Sequence, residues 1–474
     1  MMRPALVVGS VLAALAGAVP AQAATPAESP LRLVAGSDSV TLDRYPDSYV
    51  YLDLGTYLVA GSSPFEIRAT RKSYADPIVA SQIVNGRAKK LPAGLLRDFA
   101  GLPGFLHLTL TDAGGAQVLD LDQTFCPNGE TVRTRPDAPD TSPYPYSCSL
   151  NPFTLGGVWG TQKGWATNTF DWTTGAVQLP AGTYTAHVGV TQRYQELFGI
   201  PADQSSATIQ VTVRDFEYPG GPVSRGARST EQAQPNAVRP TGTASVPRGP
   251  KPDLRPLPAW GMVIAPEDGR DYLQFSANVW NAGPSPLVLD GFRRAGEDVM
   301  DAFQYFYDDK GKQVGYAPTG TMEWDDRDGH NHWHFTDFAR YSLLDAGQSE
   351  AVRSQKEAFC LAATDPIDLT VKNANWKPGN TDLHTACGGE ASIAVREVLD
   401  VGQGDTYLQY LPGQSFDITD LPNGTYYVQV VANPEHNLYE ANLDNNVSLR
   451  QVILGGSPGA RTVTVPPYQL IDAP

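Results

Sequence analysis

Leu273-Gln274-Phe275-Ser276-Ala277-Asn278-Val279 decides the fold class of this chain. Apolar side chains fall at every second position, and successive side chains of an extended strand point to opposite faces. One face is therefore built for a core while the other is polar or small. Tyr426, Val428 and Val430 repeat the pattern much later. Between such runs, 45 glycines and 39 prolines break the 474 residues into short segments, the punctuation of a β-sandwich. The expected fold is mainly β, with two β-sandwich-like modules joined by a Pro/Gly-rich linker. The stretch 87–99 reads as a short helix, limited by Pro92 and Gly94.

Residues 1–23 read as a secretory signal. Arg3 supplies a positive charge, Ala5 to Val19 is an apolar run, and Ala21-Gln22-Ala23 is a small-residue cleavage site. That run is too short to span a bilayer comfortably, and no second long apolar run follows. The mature chain is thus expected to be secreted, with no transmembrane segment. Residues 24–217 form an N-terminal β-rich, immunoglobulin-like module whose role the sequence does not disclose. Residues 218–250 are rich in Pro, Gly, Ser, Arg and Ala and nearly empty of large apolar side chains, which marks a linker. Residues 251–456 form a second module, and 457–474 a C-terminal tail. Because the linker offers no core to share, the two modules are expected to be separable.

The modules share a local echo. Leu179-Pro180-Ala181-Gly182-Thr183-Tyr184 and Leu421-Pro422-Asn423-Gly424-Thr425-Tyr426 each place a turn and a tyrosine at the start of an alternating strand, the tyrosine-corner arrangement of immunoglobulin-like sandwiches. Four cysteines fit an oxidising compartment. Pairing within each half, Cys126 with Cys148 and Cys360 with Cys387, is the simplest of three possible connectivities. The formal charge of −16 argues against nucleic acid as a partner and favours approach of cations such as amines. No Gly-rich phosphate loop follows a strand, and no nucleophile-elbow serine is evident.

Chemistry concentrates in His330-Asn331-His332-Trp333-His334, which holds three of the seven histidines. On an extended segment the three imidazoles line one face, while Trp333 and Phe335 point the other way. Neutral imidazoles bind copper, zinc, nickel and iron, and a three-histidine set leaves coordination positions open for water, oxygen or substrate. Spacing alone does not choose the metal, and a structural metal or a polar strand face remain the plainer readings. The nearby run Asp326, Asp328, Gly329 is no calcium loop: Trp324 and Phe335 would occupy ligand positions that neither can serve. His384 and His436 are isolated.

The surrounding motifs carry a resemblance. Glu323-Trp324 through His330 to Phe338 and on to Tyr341-Ser342-Leu343-Leu344-Asp345 resembles the copper segment of the lysyl oxidases. Lys356-Glu357-Ala358-Phe359-Cys360-Leu361 is similar to the segment carrying that family's cofactor lysine. Asp405-Thr406-Tyr407, followed by Asp417-Ile418-Thr419-Asp420, is similar to the segment carrying its cofactor tyrosine. The resemblance runs in order from about Pro252 to Val452, and covers only the C-terminal half.

That resemblance implies a secreted copper-dependent amine oxidase. Copper would sit on His330, His332 and His334, and the cofactor would be lysine tyrosylquinone, made from Lys356 and Tyr407. These two lie 51 positions apart (407 − 356), so only the fold can join them. The implied reaction condenses a primary amine, either a protein lysine or a small amine, with the quinone. A base then removes a proton, and with O2 the products are an aldehyde, NH3 and H2O2. Asp337, three residues past His334, is either that base or a carboxylate orienting a ligand imidazole, and the second reading is the better one. The chain departs from the animal lysyl oxidases in three ways. Arg340 stands where they place a histidine, the cysteines are too few for their disulfide set, and Asn373 to Asp382 looks like an insertion. Two other readings compete: a non-catalytic exported metal-binding or adhesion protein, and a zinc or non-haem iron enzyme. Neither uses Lys356 and Tyr407.

Overall fold

Strands built on alternate apolar residues dominate the computed structural model, which describes residues 31–171, 173–216, 238–327, 331–354, 356 and 358–474. The expected signal segment, most of the expected linker and His330 lie outside these residues. The fold is mainly β, as the alternation indicates. Leu273, Phe275 and Ala277 are fully buried and Val279 nearly so. Their strand, Arg270–Asn281, lies within a six-stranded sheet, antiparallel to Leu254–Pro256, Trp260–Glu267, Gln403–Tyr407 and Ser415–Asp417. A five-stranded sheet runs in the order His332–Phe335, Gln313–Asp325, Val299–Tyr307, Leu287–Arg293, Ala394–Leu399. Another runs Glu350–Arg353, Ala339–Leu344, Gly424–Ala432, Val447–Ser457, Ala460–Thr464. All three sheets meet in one core through Phe275, Leu289, Phe335, Tyr341 and Val428.

The N-terminal sheets, one of seven strands and two of four, enclose a second core that includes Leu58, Phe105, Leu108, Trp159 and Ile209. Both tyrosine corners are present. Tyr184 donates its hydroxyl to the Pro180 carbonyl, and Tyr426 to the Pro422 carbonyl, each at 2.8 Å. Disulfides join Cys126 to Cys148 and Cys360 to Cys387, leaving no cysteine unpaired.

The structure corrects the helix expected over 87–99. Leu91, Leu95, Leu96 and Phe99 are buried at helix-like spacing, but Arg87–Lys90 is a strand and the rest is turn. Gly94 has φ +71°, a left-handed conformation that stops a helix. The only α-helix among the described residues is Gln192–Phe198, which ends at Gly199 in the left-handed conformation.

The modules also touch more closely than a bare linker would allow. Phe153 of the N-terminal module is fully buried in one cluster with Leu257, Trp280 and Ile367. Leu155 N–H donates to the Ile367 carbonyl at 2.8 Å, and Leu369 N–H to the Gly156 carbonyl at 2.9 Å. Tyr144 and Val158 pack with Leu369 and Trp376, and the Arg68 guanidinium lies over the Trp376 ring. The modules therefore share small cores, contrary to the expectation drawn from linker composition.

Candidate active site

Two buried faces position the site. His332–Phe335 pairs with Gln313–Asp325, setting Trp324 opposite Trp333, Glu323 opposite His334 and Asp325 opposite His332. Trp333 and Phe335 anchor the strand in the core, so His332 and His334 share the other face, with ring centres 4.7 Å apart. His330, the third ligand expected, lies outside the described residues. Within those residues no group of three His, Cys, Asp or Glu side chains converges as a metal cage. The Asp325 carboxylate lies 3.1 Å from Nδ1 of His334, which is fully enclosed. A carboxylate is what a metal-bound imidazole usually takes on its non-ligating nitrogen. The same carboxylate receives the Arg327 guanidinium at 2.9 and 2.5 Å.

The histidine strand is tied directly to the lysine segment. Phe335 N–H donates to the Phe359 carbonyl at 2.8 Å, and Phe359 N–H returns the bond at 3.0 Å. Lys356, three residues upstream, is buried, with Nζ 4.4 Å from the Tyr407 ring centre and 5.0 Å from that of Phe359. Among the described residues Nζ has no hydrogen-bond partner. Burial lowers its pKa to about 8. Arg327 adds to the shift, while Asp325 and Asp405 oppose it. Gly413 (φ +82°) lets the chain pass here, because a Cβ there would come within 3.0 Å of the Lys356 Cβ.

Tyr407 ends the strand Gln403–Tyr407. The Phe359 ring meets it edge-on at 4.9 Å, and Cys360 N–H donates to its hydroxyl at 3.2 Å. Burial, then the charges of Asp405 and Glu397, push its phenol well above the ordinary value. Asp405 shares its strand face, two residues away. Glu397 comes from Ala394–Leu399 and accepts Leu361 N–H at 3.1 Å. Both carboxyls are buried, each with one oxygen unpartnered among the described residues. Burial raises both pKa values far above the carboxylate range. Sequence reasoning missed Asp405, Glu397 and Asp325 as site members. The i, i+2 relation of Asp405 to Tyr407 was the available signal.

Asp337 takes no part in this grouping. It sits in the turn after the histidine strand, at φ +58°. Its charged neighbours are Glu435, which with burial raises its pKa, and Arg340, which opposes the shift. The carboxylate beside the His334 Nδ1 is that of Asp325. Arg340 pairs with Glu435 at 3.4 Å. His384 donates from Nδ1 to the Thr381 carbonyl, on an exposed loop. A cleft of about 240 Å³ opens at the site, lined by Glu323, Trp324, Asp325, Asp326, Arg327, His334 and Ala358. A larger hollow of about 870 Å³ lies in the N-terminal module and contains none of the site residues.

Two histidines on one strand face, on a strand hydrogen-bonded to the segment whose buried amine lies over a phenol ring, can be compared with known proteins. The lysyl oxidase family model matches residues 302–461, which include every residue just described. The C-terminal region is thus similar to the lysyl oxidases over about a third of the chain. Lysyl oxidase homolog 2 of Gallus gallus is 31% identical over 164 residues, 34% of this chain and 18% of that protein. Lysyl oxidase homolog 3B of Danio rerio is 32% identical over 121 residues, 25% of this chain and 13% of that protein. Lysyl oxidase homolog 4 of Mus musculus is 32% identical over 121 residues, 25% of this chain and 14% of that protein. The chain thus spans less than a fifth of these relatives. The family model starts beyond the N-terminal module, so the match accounts for only one of the two large cores.

Proposed function

We propose that this chain is a secreted, copper-dependent amine oxidase of lysyl oxidase type. Copper is assigned to His330, His332 and His334, and lysine tyrosylquinone to Lys356 and Tyr407. The observation that carries the reading is the unpartnered Lys356 Nζ, buried 4.4 Å from the centre of an oxidisable ring. A buried amine without a partner is destabilising, so its position against a phenol suits a pair that goes on to bond. A non-catalytic binding module has no use for that pair.

Bound copper with O2 would supply the oxidation that makes the phenol ring electrophilic, chemistry outside the range of ordinary side chains. The chain's own residues do the rest. Asp325 fixes the His334 ring. Phe359 packs edge-on against the Tyr407 ring. Glu323, Asp325 and Asp326 outnumber Arg327 at the cleft, so a protonated primary amine is drawn to it. The net reaction balances as RCH2NH2 + O2 + H2O giving RCHO + NH3 + H2O2. The role of Asp337 as base rests on its sequence position alone.

The test uses the full chain expressed without copper. It should be colourless and inactive. Copper added under oxygen should produce a visible quinone band and a covalent Lys356–Tyr407 peptide detectable by mass, and Tyr407→Phe should abolish both. Copper-loaded wild-type protein whose Lys356 and Tyr407 peptides stay unmodified overturns the reading.

A further inference from the structure

Two sheet edges meet beside the Tyr407 strand. In the six-stranded sheet, Asp365–Pro366 is the last strand and pairs with Gln403–Tyr407, Asp365 opposite Gly404 and Pro366 opposite Gln403. In the N-terminal module, Gly156–Thr161 is the edge of a four-stranded sheet and pairs with Phe65–Thr70. An open edge leaves backbone donors and acceptors without partners and has to be covered. Here each edge covers the other. Leu155 N–H and Gly156 N–H donate to the Ile367 carbonyl at 2.8 and 3.2 Å, and Leu369 N–H donates to the Gly156 carbonyl at 2.9 Å. Gly156 and Asp368 thereby form a parallel bridge. On its opposite side the same segment is bonded to the tyrosine strand, where Ile367 N–H and Asp368 N–H donate to the Gly402 carbonyl at 2.9 and 3.0 Å.

That segment continues from the lysine. From Cys360, four residues past Lys356, it runs alongside the tyrosine strand in the opposite direction. Cys360 N–H reaches the Tyr407 hydroxyl at 3.2 Å, and Thr364 N–H the Gly404 carbonyl at 3.0 Å. The tyrosine strand is fixed from its other side, where Ala277 stands opposite Tyr407. The lysine segment has a ladder of two residues, one of them Pro366, which has no N–H to donate. So short an edge strand holds its register weakly. Its near end is tied to Phe335 and to Cys387. Its far end lies between Gly402 and Gly156.

We propose that the N-terminal module is an intramolecular clamp: its Gly156 edge holds the far end of the lysine segment on the tyrosine strand, and so keeps Lys356 over the Tyr407 ring. This rests on the function proposed above and gives the N-terminal module a part in forming the cofactor. Gly156 acts through the paired segments and is a positioning residue.

Missing side chains make the junction possible. A Cβ on Gly156 would collide with the Asp368 carboxylate and come within 2.7 Å of Thr370 Oγ1. A Cβ on Gly402, at φ +81°, would collide with the Asp368 carbonyl. The stretch 373–382, which looks like an insertion, closes over the same place. Asn375 N–H donates to the Val401 carbonyl at 2.9 Å, and the Asn375 carbonyl accepts Gln403 Nε2 at 2.7 Å. Next to it, Trp376 donates its indole N–H to the Leu369 carbonyl at 2.9 Å and packs with Tyr144 and Val158 of the N-terminal module.

The experiment uses copper-loaded full chain and two readouts: amide hydrogen exchange of peptide 361–369 before oxygen is admitted, and the rate of Lys356–Tyr407 cross-linking afterwards. Gly156 lies outside the left-handed region, so Gly156→Val pushes on Asp368 without straining its own strand. Losing two or three backbone hydrogen bonds shifts a local equilibrium about tenfold or more. Exchange should quicken, and cross-linking slow, by about that factor. Gly156→Ala combined with Asp368→Ala removes the collision, keeps the backbone bonds and should restore both readouts. Leu108→Ala weakens the N-terminal core away from the junction and should leave the cross-linking rate of folded protein unchanged. Copper content and thermal unfolding show that each variant is loaded and folded. A folded Gly156→Val with wild-type exchange overturns the clamp. Faster exchange with a wild-type cross-linking rate overturns its part in forming the cofactor, as does an equal slowing in Leu108→Ala. Wild-type protein that never cross-links overturns the proposed function itself, and the exchange readout then still decides the clamp.

Discussion

Cys360 N–H donates to the Tyr407 hydroxyl across 3.2 Å, so the phenol is held by a residue covalently bound to Cys387. The other end of that bridge reaches the histidines. Trp333, between His332 and His334, donates its N–H to the Cys387 carbonyl at 3.1 Å and its indole N–H to the Gly389 carbonyl at 3.0 Å. One disulfide therefore fastens the phenol to the histidine strand.

Replacing both Cys360 and Cys387 by Ser should cost more than stability. Closing a loop across 27 positions stabilises by about 3.5 kcal/mol on chain-entropy grounds. Denaturant unfolding should show a loss of that order, and the Lys356–Tyr407 cross-link should fall in yield even at temperatures where the protein stays folded. A variant that loses stability yet cross-links at the wild-type rate would make the bridge purely a staple.

Asp325 should tune the metal without binding it. Asp325→Ala removes the carboxylate from His334 Nδ1, and loss of such a partner typically weakens metal affinity about 10- to 100-fold. His332→Ala or His334→Ala should abolish stoichiometric copper. Competition with a chelator separates the two effects. Equal affinity in Asp325→Ala and wild type would remove Asp325 from the metal site.

The fold class was legible in Leu273 to Val279 and in the two Leu-Pro-x-Gly-Thr-Tyr turns, because strand periodicity and turn chemistry are local. The stretch 87–99 misled for the same reason. Its apolar spacing is helical, but those side chains are buried by neighbouring strands rather than by a helix of their own. In the site, Lys356 and Tyr407 stood out only through family resemblance, since neither residue type is rare. Glu397 is fully buried, yet no local pattern distinguishes it from a surface glutamate. Its role comes from the pairing of Leu287–Arg293 with Ala394–Leu399, partners 102 (394 − 292) to 112 (399 − 287) positions apart in register.

Phe153→Ala should destabilise the whole chain and not the N-terminal module alone. The ring is fully buried against Leu257, Trp280 and Ile367, and removing such a side chain usually costs about 3–5 kcal/mol. Ile367 also donates its N–H to the Gly402 carbonyl at 2.9 Å, just before the Tyr407 strand. Calorimetry of the wild type should give overlapping transitions for the two modules, and a fragment starting near Pro252 should aggregate through the uncovered surface. A soluble fragment with the full-length melting temperature would make the interface energetically silent.

Lys356 should also set a pH dependence in the copper-free protein. Its folded pKa, about 8, lies below the ordinary value of 10.5, chiefly through burial. A depressed folded pKa gives a contribution that is present above the unfolded pKa and is lost as pH falls through the folded one. Below about pH 8 the buried amine must carry a proton it would hold more cheaply in water. Lys356→Met keeps the bulk without the charge, so the variant should be more stable than wild type at pH 7, by up to about 3 kcal/mol. The advantage should shrink as pH rises from about 8 and be gone above about 10.5. Urea unfolding of both apo proteins across that range reads the difference directly. A gap that stays constant with pH would mean that the amine is charged equally in both states, and that burial does not press on it.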